Sequence, residues 1–546
     1  MDVSVETASF RSRRSSAGST YSTYSTYSRY SGRSSRSGAG RLRRWTSTAS
    51  LKHQDKRPGR LLALRIASLA VGCAACGMAY SLDSFTAYSG DLKSLFKATQ
   101  SQVESVASAG YIGLLSSLPA GLMLNRVGPK WMSAVALFFS VVGTILAWTS
   151  LFAVEFYSQY FPLIAFYYWL IGTGGGIMYV TASSVGVGNF QEGSLGVVSG
   201  FLNAFRSGIP GSLMVLYIYV FSADYYSPVF AQDRLEIYWA ILGVCFLVVN
   251  VLGIVVYGFY LEIGYELGLD ENLEEREIII TVEPEEEDEE EVTTTEKSKL
   301  IANGQKESSY GAVTEENQEP VTVTVTQVEE LTYLKILKML EFHLLIWPSM
   351  ILLGVRTSFG NNIRTFADSF ELYDYAQIIL TIQPVVSTVV KPPIGFCSDA
   401  LLRYLPRSAF LILSATLFSV VCGVAFFYFD NAYVQGITIL TVIVASSFVQ
   451  TLGPPLLVSF VSRKFFPISW SVVTVGWSGF TSAVNALIGA IYDQHVDPGS
   501  DNCYGEECYK LSFAIVFVMC IVSLVFFCFL TWREVRRRAK MPMFQS

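Results

Sequence analysis

The chain has 546 residues, of which 51% are hydrophobic and only 15% are charged. Soluble globular domains carry about 25% charged residues, so this composition argues against a soluble enzyme and favours a protein that crosses a membrane several times. The charges are also concentrated: residues 1–60 contain 13 Lys and Arg against 3 acidic residues, and residues 261–340 contain 6 against 22.

Residues 1–60 form a basic segment rich in Ser, Tyr and Arg, with a Tyr-Ser-Thr repeat from Tyr21 onwards. The segment has too few aliphatic side chains to offset the entropy of ordering, so it is predicted to be a disordered cytosolic tail. Its arginines favour contact with an anionic lipid bilayer, and its hydroxyl groups favour regulation by phosphorylation. The alternative is a solvated leader without a specific partner. A nucleic-acid partner is not expected beside a membrane.

Twelve apolar runs follow, each close to the ~20 residues that a membrane-spanning helix needs. They begin near Leu61, Glu104, Trp131, Phe161, Leu195, Ile237, Phe342, Ala376, Ala409, Val434, Trp470 and Leu511. The sequence therefore predicts an all-α polytopic membrane protein with twelve transmembrane helices in two six-helix, pseudo-symmetric bundles. These bundles are predicted over residues 61–262 and 341–532, with an acidic, disordered cytosolic loop at 263–340 and a basic cytosolic tail at 533–546.

Lys and Arg occur mainly in the loops on the same side as the basic N-terminal segment, for example Arg126, Arg403 and Arg463. Positive residues in short loops favour the cytoplasmic side of a membrane. Both termini are therefore predicted to be cytosolic.

The two predicted bundles carry related motifs after their second helices. Gly121-Leu-Met-Leu-Asn125 follows the second run and Gly395-Phe-Cys-Ser-Asp399 follows the eighth; 395 − 121 and 399 − 125 both give 274. Equivalent positions in two halves are what parallel structural repeats predict.

The first of these motifs resembles the cytoplasmic loop motif G-x-x-x-D-R-x-G-R-K of the major facilitator superfamily, and the resemblance covers about residues 61–265 and 332–533. It implies a transporter that works by alternating access, with a latch on the cytoplasmic side. The latch residues that it implies are Gly121, Asn125, Arg126, Gly128, Lys130 and Asp399. Asn125 stands where the motif has Asp, so the acidic group of the latch is kept only in the second half, at Asp399.

Three further patterns are similar to the nodulin-like and fungal monocarboxylate-transporter-homologue branch of that superfamily. They are Tyr88-Ser-Gly-Asp91-Leu-Lys93, Gly172-Thr-Gly-Gly-Gly176 and Cys503-Tyr-Gly-Glu-Glu-Cys508. This resemblance implies a carboxylate, or an amino acid, as the transported solute. Cys503 and Cys508 are predicted to lie outside the cytosol, where disulfides persist, and to form a local bridge.

Several ionisable residues fall inside the predicted helices. Inserting each of them at the middle of a membrane costs roughly 2.5–3.5 kcal/mol of free energy, so such residues usually have a function. A guanidinium binds a carboxylate or phosphate through two hydrogen bonds, so the predicted site holds a small anion or zwitterion. The candidate residues for binding the solute are Arg206, Arg356, Lys391, Asn361, Asn362, Tyr179 and Asp83. In the alternative interpretation Lys391 reaches towards the cytosol, Arg206 pairs with Asp83, and the neutral groups bond neighbouring helices.

The sequence contains no metal-ligand spacing, no phosphate-binding Gly-Lys-Ser/Thr loop and no nucleophile-elbow motif, so no cofactor and no enzyme activity are expected. Asp83 is the one acidic residue predicted at membrane depth. Uniport, exchange and proton coupling through Asp83 all stay open.

Glu296-Lys-Ser-Lys-Leu300-Ile301 matches the acidic dileucine sorting pattern [DE]-x-x-x-L-[LI] within the acidic loop. A sorting adaptor is the expected partner, and an endosomal, lysosomal or vacuolar membrane is slightly favoured over the plasma membrane. The predicted function is transport of a small organic solute. The alternative is a non-transporting membrane sensor or adaptor with the same fold, which signals through its cytosolic segments.

Overall fold

The structure is a computed structural model that describes residues 58–220, 231–269, 275–279, 324–328, 333–368, 373–428, 432–461, 463–495, 503 and 505–539. Residues 1–57 and the predicted sorting residues Glu296, Leu300 and Ile301 lie outside these ranges. The sorting signal therefore stays a prediction.

The helices of the first half follow the predicted apolar runs. They are α1 (Pro58–Ala79), α2 (Phe85–Phe96), α3 (Gln100–Gly113), α4 (Ser117–Val127), α5 (Pro129–Thr149), α6 (Val154–Gln159), α7 (Pro162–Asn189), α8 (Leu195–Val215) and α9 (Ala231–Leu269). The short 3₁₀ turn Ser81–Ser84 interrupts the first run between α1 and α2. Helix α9 begins at Ala231 rather than near Ile237, because its first turns carry Asp233, Arg234 and Glu236, which an apolar pattern passes over.

The helices of the second half likewise follow the predicted runs. They are α10 (Tyr333–Lys338), α11 (Leu340–Asp368), α12 (Tyr373–Leu401), α13 (Arg407–Phe427), α14 (Ala432–Phe460), α15 (Phe466–Gln494) and α16 (Lys510–Ala539).

Ten helices in the described part of the chain are long and apolar enough to cross a membrane. Helices α8 and α12 are not among them, although both occupy the places of predicted runs. Helix α8 contains Asn203 and Arg206, and α12 contains Gln383 and Lys391, so polar residues lower their hydropathy. These two helices face each other across the two halves of the molecule.

Glycines let α8 and α12 approach almost to backbone contact. A Cβ added at Gly395 would lie 2.1 Å from the carbonyl oxygen of Gly196, and one added at Gly211 would lie 2.2 Å from Cβ of Pro384. Since both distances are far below van der Waals contact, only glycine fits at either position. The close contact between α8 and α12, which we call the seam, therefore extends along most of α8, from Gly196 to Gly211.

The glycine-rich sequence of α7 has the same physical basis inside the first half. A Cβ at Gly172 would lie 2.0 Å from the carbonyl oxygen of Gly110 in α3, and one at Gly175 would lie 2.6 Å from that of Ala79 in α1. Small residues allow this close packing of helices, which brings α7 into the centre of the first bundle.

The structure contains regular elements in both charged segments of the second half of the chain. The loop predicted to be disordered over 263–340 contains an antiparallel pair of strands, β1 (Glu275–Ile279) and β2 (Thr324–Val328). Alternating Val and Thr in β2 favour a strand, which the acidic composition obscured. The predicted basic tail begins as helix, because α16 continues to Ala539, and Arg533 pairs with Glu341 of α11 at 2.7 Å.

Candidate functional site

A cavity of about 510 Å³ lies between the two halves of the molecule. The turn Ser81–Ser84 and helices α2, α3, α8, α11, α12, α14 and α15 contribute to its wall. Its lining includes two cations, Arg206 and Arg356, and the only carboxylate among the described lining residues is Asp83. The cavity is therefore polar and carries an excess of positive charge.

Arg206 is buried in an aromatic corner of this cavity, with only 6% of its surface exposed. Its Cζ atom lies 3.9 Å from the ring centre of Tyr80 and 4.4 Å from that of Trp477. The negative faces of both rings attract the guanidinium, which stabilises the charge inside the protein. Nε has no hydrogen-bond partner, and the described residues offer the terminal nitrogens no ion pair, so these nitrogens remain available to a ligand.

Arg356 and Asp83 enter the same cavity from α11 and from the break in the first helix. Within the described ranges, neither Arg206 nor Arg356 comes within 4 Å of a carboxylate oxygen. The carboxylate of Asp83 instead accepts a hydrogen bond from the Tyr111 hydroxyl at 2.9 Å. The predicted alternative in which Arg206 pairs directly with Asp83 is therefore not the observed arrangement.

Asn361 and Asn362 also line the cavity, and both belong to α11. The amide nitrogen of Asn362 donates to the carbonyl oxygen of Ser358 at 2.8 Å and to Oδ1 of Asn485 in α15 at 3.3 Å. Asn361 is exposed to the cavity. The structure thus brings five of the seven sequence-predicted binding residues to one cavity: Arg206, Arg356, Asp83, Asn361 and Asn362.

Lys391 and Tyr179 lie near the cavity but do not line it. Lys391 is completely buried between α12 and α8, where its Nζ donates to the carbonyl oxygen of Asn203 at 2.9 Å and to Oγ of Ser207 at 2.5 Å. It does not extend towards the cytosol, because these two oxygens satisfy its ammonium group inside the protein. The hydroxyl of Tyr179 accepts a hydrogen bond from Nε1 of Trp470 at 3.1 Å.

Sequence reasoning missed several residues of this site. Tyr80 and Trp477 surround Arg206, and Tyr111 and Asn485 bond the predicted residues Asp83 and Asn362. Asn485 left a visible signal, since it is an amide within an apolar run. The aromatic residues left none, because Tyr and Trp are common in membrane helices.

The end of the molecule that carries the two repeated motifs is closed, and Asp399 is central to this closure. One of its carboxylate oxygens accepts from Arg407 at 2.8 Å, and its two oxygens accept from the backbone N–H groups of Gly196 at 3.0 Å and Val197 at 2.8 Å. These N–H groups belong to the first turn of α8, which has no intrahelical acceptors for them and favours an anion. Asp399 therefore ties α12 and α13 to the start of α8.

The equivalent motif of the first half closes against α15, and among the described residues it uses no ion pair of this kind. A Cβ at Gly121 would lie 2.5 Å from Oγ of Ser471, and Nδ2 of Asn125 donates to the carbonyl oxygen of Lys464 at 2.5 Å. Gly128 adopts φ +84° between α4 and α5, a conformation that favours glycine. Arg126 and Lys130 are both exposed.

Cys503 and Cys508 are joined by a disulfide, with Cα atoms 5.9 Å apart, just before α16. Both residues are buried and contact Tyr509 and Phe513 in a small apolar cluster. Within the described ranges, no group of His, Cys, Asp and Glu side chains has the arrangement of a metal site.

The fold is similar to that of several solved major facilitator superfamily transporters. A proton:xylose symporter matches 86% of this chain and 95% of its own at 12% identity, with a TM-score of 0.59. A bacterial homologue of the iron transporter ferroportin, in an outward-facing state, matches 86% and 99% at 9% identity, with a TM-score of 0.55. The transporter FucP in its outward conformation matches 86% and 99% at 13% identity, with a TM-score of 0.53.

No protein-family model and no curated protein matches the chain by sequence. At 9–13% identity the structural likeness shows the fold alone. The predicted fold class is confirmed: the protein is a multi-pass membrane protein with the major facilitator fold.

Proposed function

We propose that the protein is a transporter that carries a small solute with a carboxylate group, an organic acid or an amino acid, across its membrane by alternating access. The observation that carries this proposal is the cavity of about 510 Å³ with two arginines and one carboxylate in its lining. Sites for small molecules typically measure 300–1,000 Å³, and a few polar groups in them select the ligand. Arginine side chains that form no ion pair with the described residues are well suited to a carboxylate.

The closed end supports the same mechanism. Closure around Asp399 and Gly121 on one side of the cavity is what one state of an alternating-access carrier requires. With the orientation that the Lys and Arg distribution predicts, the closed end is cytoplasmic and the cavity belongs to an outward-facing state.

The test measures ligand-induced thermal stabilisation of the purified full chain, followed by uptake into liposomes. Wild type is compared with Arg206→Ala and Arg356→Ala against organic acids, the twenty amino acids, sugars and nucleosides. We expect carboxylate-bearing solutes to raise the melting temperature and to enter liposomes, and both arginine variants to lose these responses. Each variant removes a charged hydrogen-bond donor, which is worth about 1.5–3 kcal/mol of binding.

Arg403→Ala is the matched control, because Arg403 is exposed and lies in the turn after α12, away from the cavity. It should bind and transport as the wild type does. A sugar or nucleoside response that is equal in all four proteins would contradict a carboxylate solute and would make the two arginines structural.

Two finer assignments belong to this proposal. The motifs around Asp91, Gly172 and Cys503 are similar to those of the nodulin-like and monocarboxylate-transporter-homologue branch, which supports membership of that branch. The sequence Glu296–Ile301 likewise supports an endosomal, lysosomal or vacuolar membrane. Replacing Leu300 and Ile301 by Ala should move a fluorescently tagged chain to the plasma membrane, and unchanged distribution would contradict the sorting signal.

A further inference from the structure

The ammonium group of Lys391 is fully buried between α12 and α8. Among the described residues its ammonium group makes no ion pair, and it donates instead to two neutral oxygens of α8. Burying a cation without a carboxylate partner costs free energy of folding, which suggests that the hydrogen bonds of Lys391 serve a function. One of its two acceptors, Ser207, lines the cavity beside Arg206.

The hydroxyl of Ser207 has both of its lone pairs occupied. Its Oγ accepts from Nζ of Lys391 at 2.5 Å and from Oγ of Ser387 at 3.1 Å. A serine hydroxyl offers two lone pairs and one proton, so the proton of Ser207 has to point away from both donors.

The usual acceptor for that proton is also taken. Serine in a helix commonly donates to the carbonyl oxygen four residues earlier, and Ser212 of the same helix does so, to Gly208 at 2.9 Å. For Ser207 that oxygen belongs to Asn203, which receives Nζ of Lys391 at 2.9 Å in addition to its own helical hydrogen bond. Ser207 is therefore left as a hydrogen-bond donor beside the cavity.

We propose that the hydroxyl of Ser207 is a third donor to the carboxylate of the transported solute, next to Arg206 and Arg356, and that Lys391 is the residue that positions it. This inference rests on the proposed function and assigns a further binding group to the same cavity. Lys391 acts only through Ser207. Because it donates a charge-assisted hydrogen bond to Oγ, it polarises the hydroxyl and strengthens its donation to an anion.

The experiment measures dissociation constants of the full chain in lipid nanodiscs by isothermal titration calorimetry. The probes are lactate, pyruvate, succinate and the twenty amino acids, each beside the corresponding carboxamide. We expect Ser207→Ala to weaken carboxylate binding roughly 10-fold or more, since a hydrogen bond to a charged group is lost. Binding of the carboxamides should change much less, and Ser207→Thr, which keeps the hydroxyl, should restore carboxylate affinity.

Ser212→Ala is the matched control on the same helix, because its hydroxyl bonds the helix itself and does not line the cavity. It should bind as the wild type does. Lys391→Met should lower carboxylate affinity as Ser207→Ala does. The double variant should bind carboxylates no more weakly than the single variant with the lower affinity, because both changes break the same chain of hydrogen bonds. If Lys391→Met does not fold, Ser207→Ala and Ser207→Thr still decide the question.

Unchanged carboxylate affinity in Ser207→Ala, together with loss in Arg356→Ala, would overturn this inference and leave the proposed function standing. Equal losses in Ser207→Ala and Ser212→Ala would also overturn it, because the effect would then belong to α8 as a whole. If no carboxylate of the panel binds the wild type, the proposed function itself is wrong.

Discussion

Arg206 shows how a residue keeps its charge inside a membrane protein when none of the described carboxylates lies within bonding distance. The rings of Tyr80 and Trp477 lie 3.9 Å and 4.4 Å from its Cζ atom. Trp477 is itself fixed, because its Nε1 donates to the carbonyl oxygen of Leu353 at 3.0 Å and to Oγ1 of Thr357 at 3.1 Å. The aromatic rings stabilise the cation and do not neutralise it, so its charge stays available to a solute.

The ring of Tyr80, rather than its hydroxyl, is predicted to stabilise Arg206. The hydroxyl is buried without a hydrogen-bond partner, so Tyr80→Phe should leave the melting temperature of the ligand-free protein unchanged or raise it. Tyr80→Leu removes the ring and should lower it, since a cation–π contact is worth about 0.5–2 kcal/mol. Equal melting temperatures for the Phe and Leu variants in a thermal unfolding assay would contradict this role of the ring.

At the scale of elements, α8 and α12 act as a pair. Neither helix is apolar enough to count among the ten candidate membrane spans. Each satisfies polar groups of the other through the hydrogen bonds of Lys391 and Asp399. Glycine at positions 196 and 395 brings the two backbones close enough for these hydrogen bonds. Helices α8 and α12 therefore form one close contact between the halves in the described part of the chain, beside the packing of α4 against α15 at Gly121.

Asp399→Asn is predicted to loosen the closed end. The change removes the charge that pairs with the buried Arg407 and caps the first turn of α8, and breaking a buried ion pair costs about 3–5 kcal/mol. Hydrogen exchange at the amides of Gly196 and Val197, measured by mass spectrometry, should become faster.

The matched control for this prediction is Asp91→Asn. Asp91 also forms an ion pair with an arginine, Arg234, at 3.0 Å, and it accepts a hydrogen bond from the Tyr217 hydroxyl. It lies in α2, away from the closed end. Its substitution should lower stability without a local change in exchange at positions 196 and 197. Equal exchange in both variants would show that Asp399 does not hold this end.

At the scale of the whole molecule, the two repeated motifs close the same end by different means. The first half relies on close packing of Gly121 against α15 and on a neutral hydrogen bond from Asn125, whereas the second half uses the hydrogen bonds that the carboxylate of Asp399 accepts from Gly196 and Val197 of α8. Since a hydrogen bond to a charged group is worth more than a neutral one, the second half is expected to contribute more to the stability of the closed state.

Removal of residues 1–57 separates the proposed transporter from the alternative of a sensor. The described residues that line the cavity and form both closing contacts all lie from position 58 onwards, so the shortened chain is predicted to keep ligand-induced stabilisation and uptake into liposomes. A sensor that signals through this segment would keep ligand binding and lose its signal. Intact folding with complete loss of uptake in the shortened chain would contradict our prediction.

The sequence by itself determined the membrane class, the order of the helices and the repeat at Gly121 and Gly395, because these follow from hydropathy and local motifs. It also singled out Arg206, Arg356 and Asp83, since a charge in an apolar run is conspicuous wherever it points. Composition did not indicate the strand pair of β1 and β2, because acidic residues surround β1 and the Thr-Val alternation occurs only in β2, and it did not indicate the start of α9, where charged residues belong to the helix.

Only the tertiary structure decided which of these residues meet. Lys391 and Arg206 look alike in the sequence, but the seam between α8 and α12 buries Lys391 behind Ser207, while the aromatic corner of Tyr80 and Trp477 leaves Arg206 in the cavity wall. The direction of a side chain depends on the packing of helices that are more than a hundred residues apart. That packing is set by glycine contacts and hydrogen bonds between the helices, which no local pattern records.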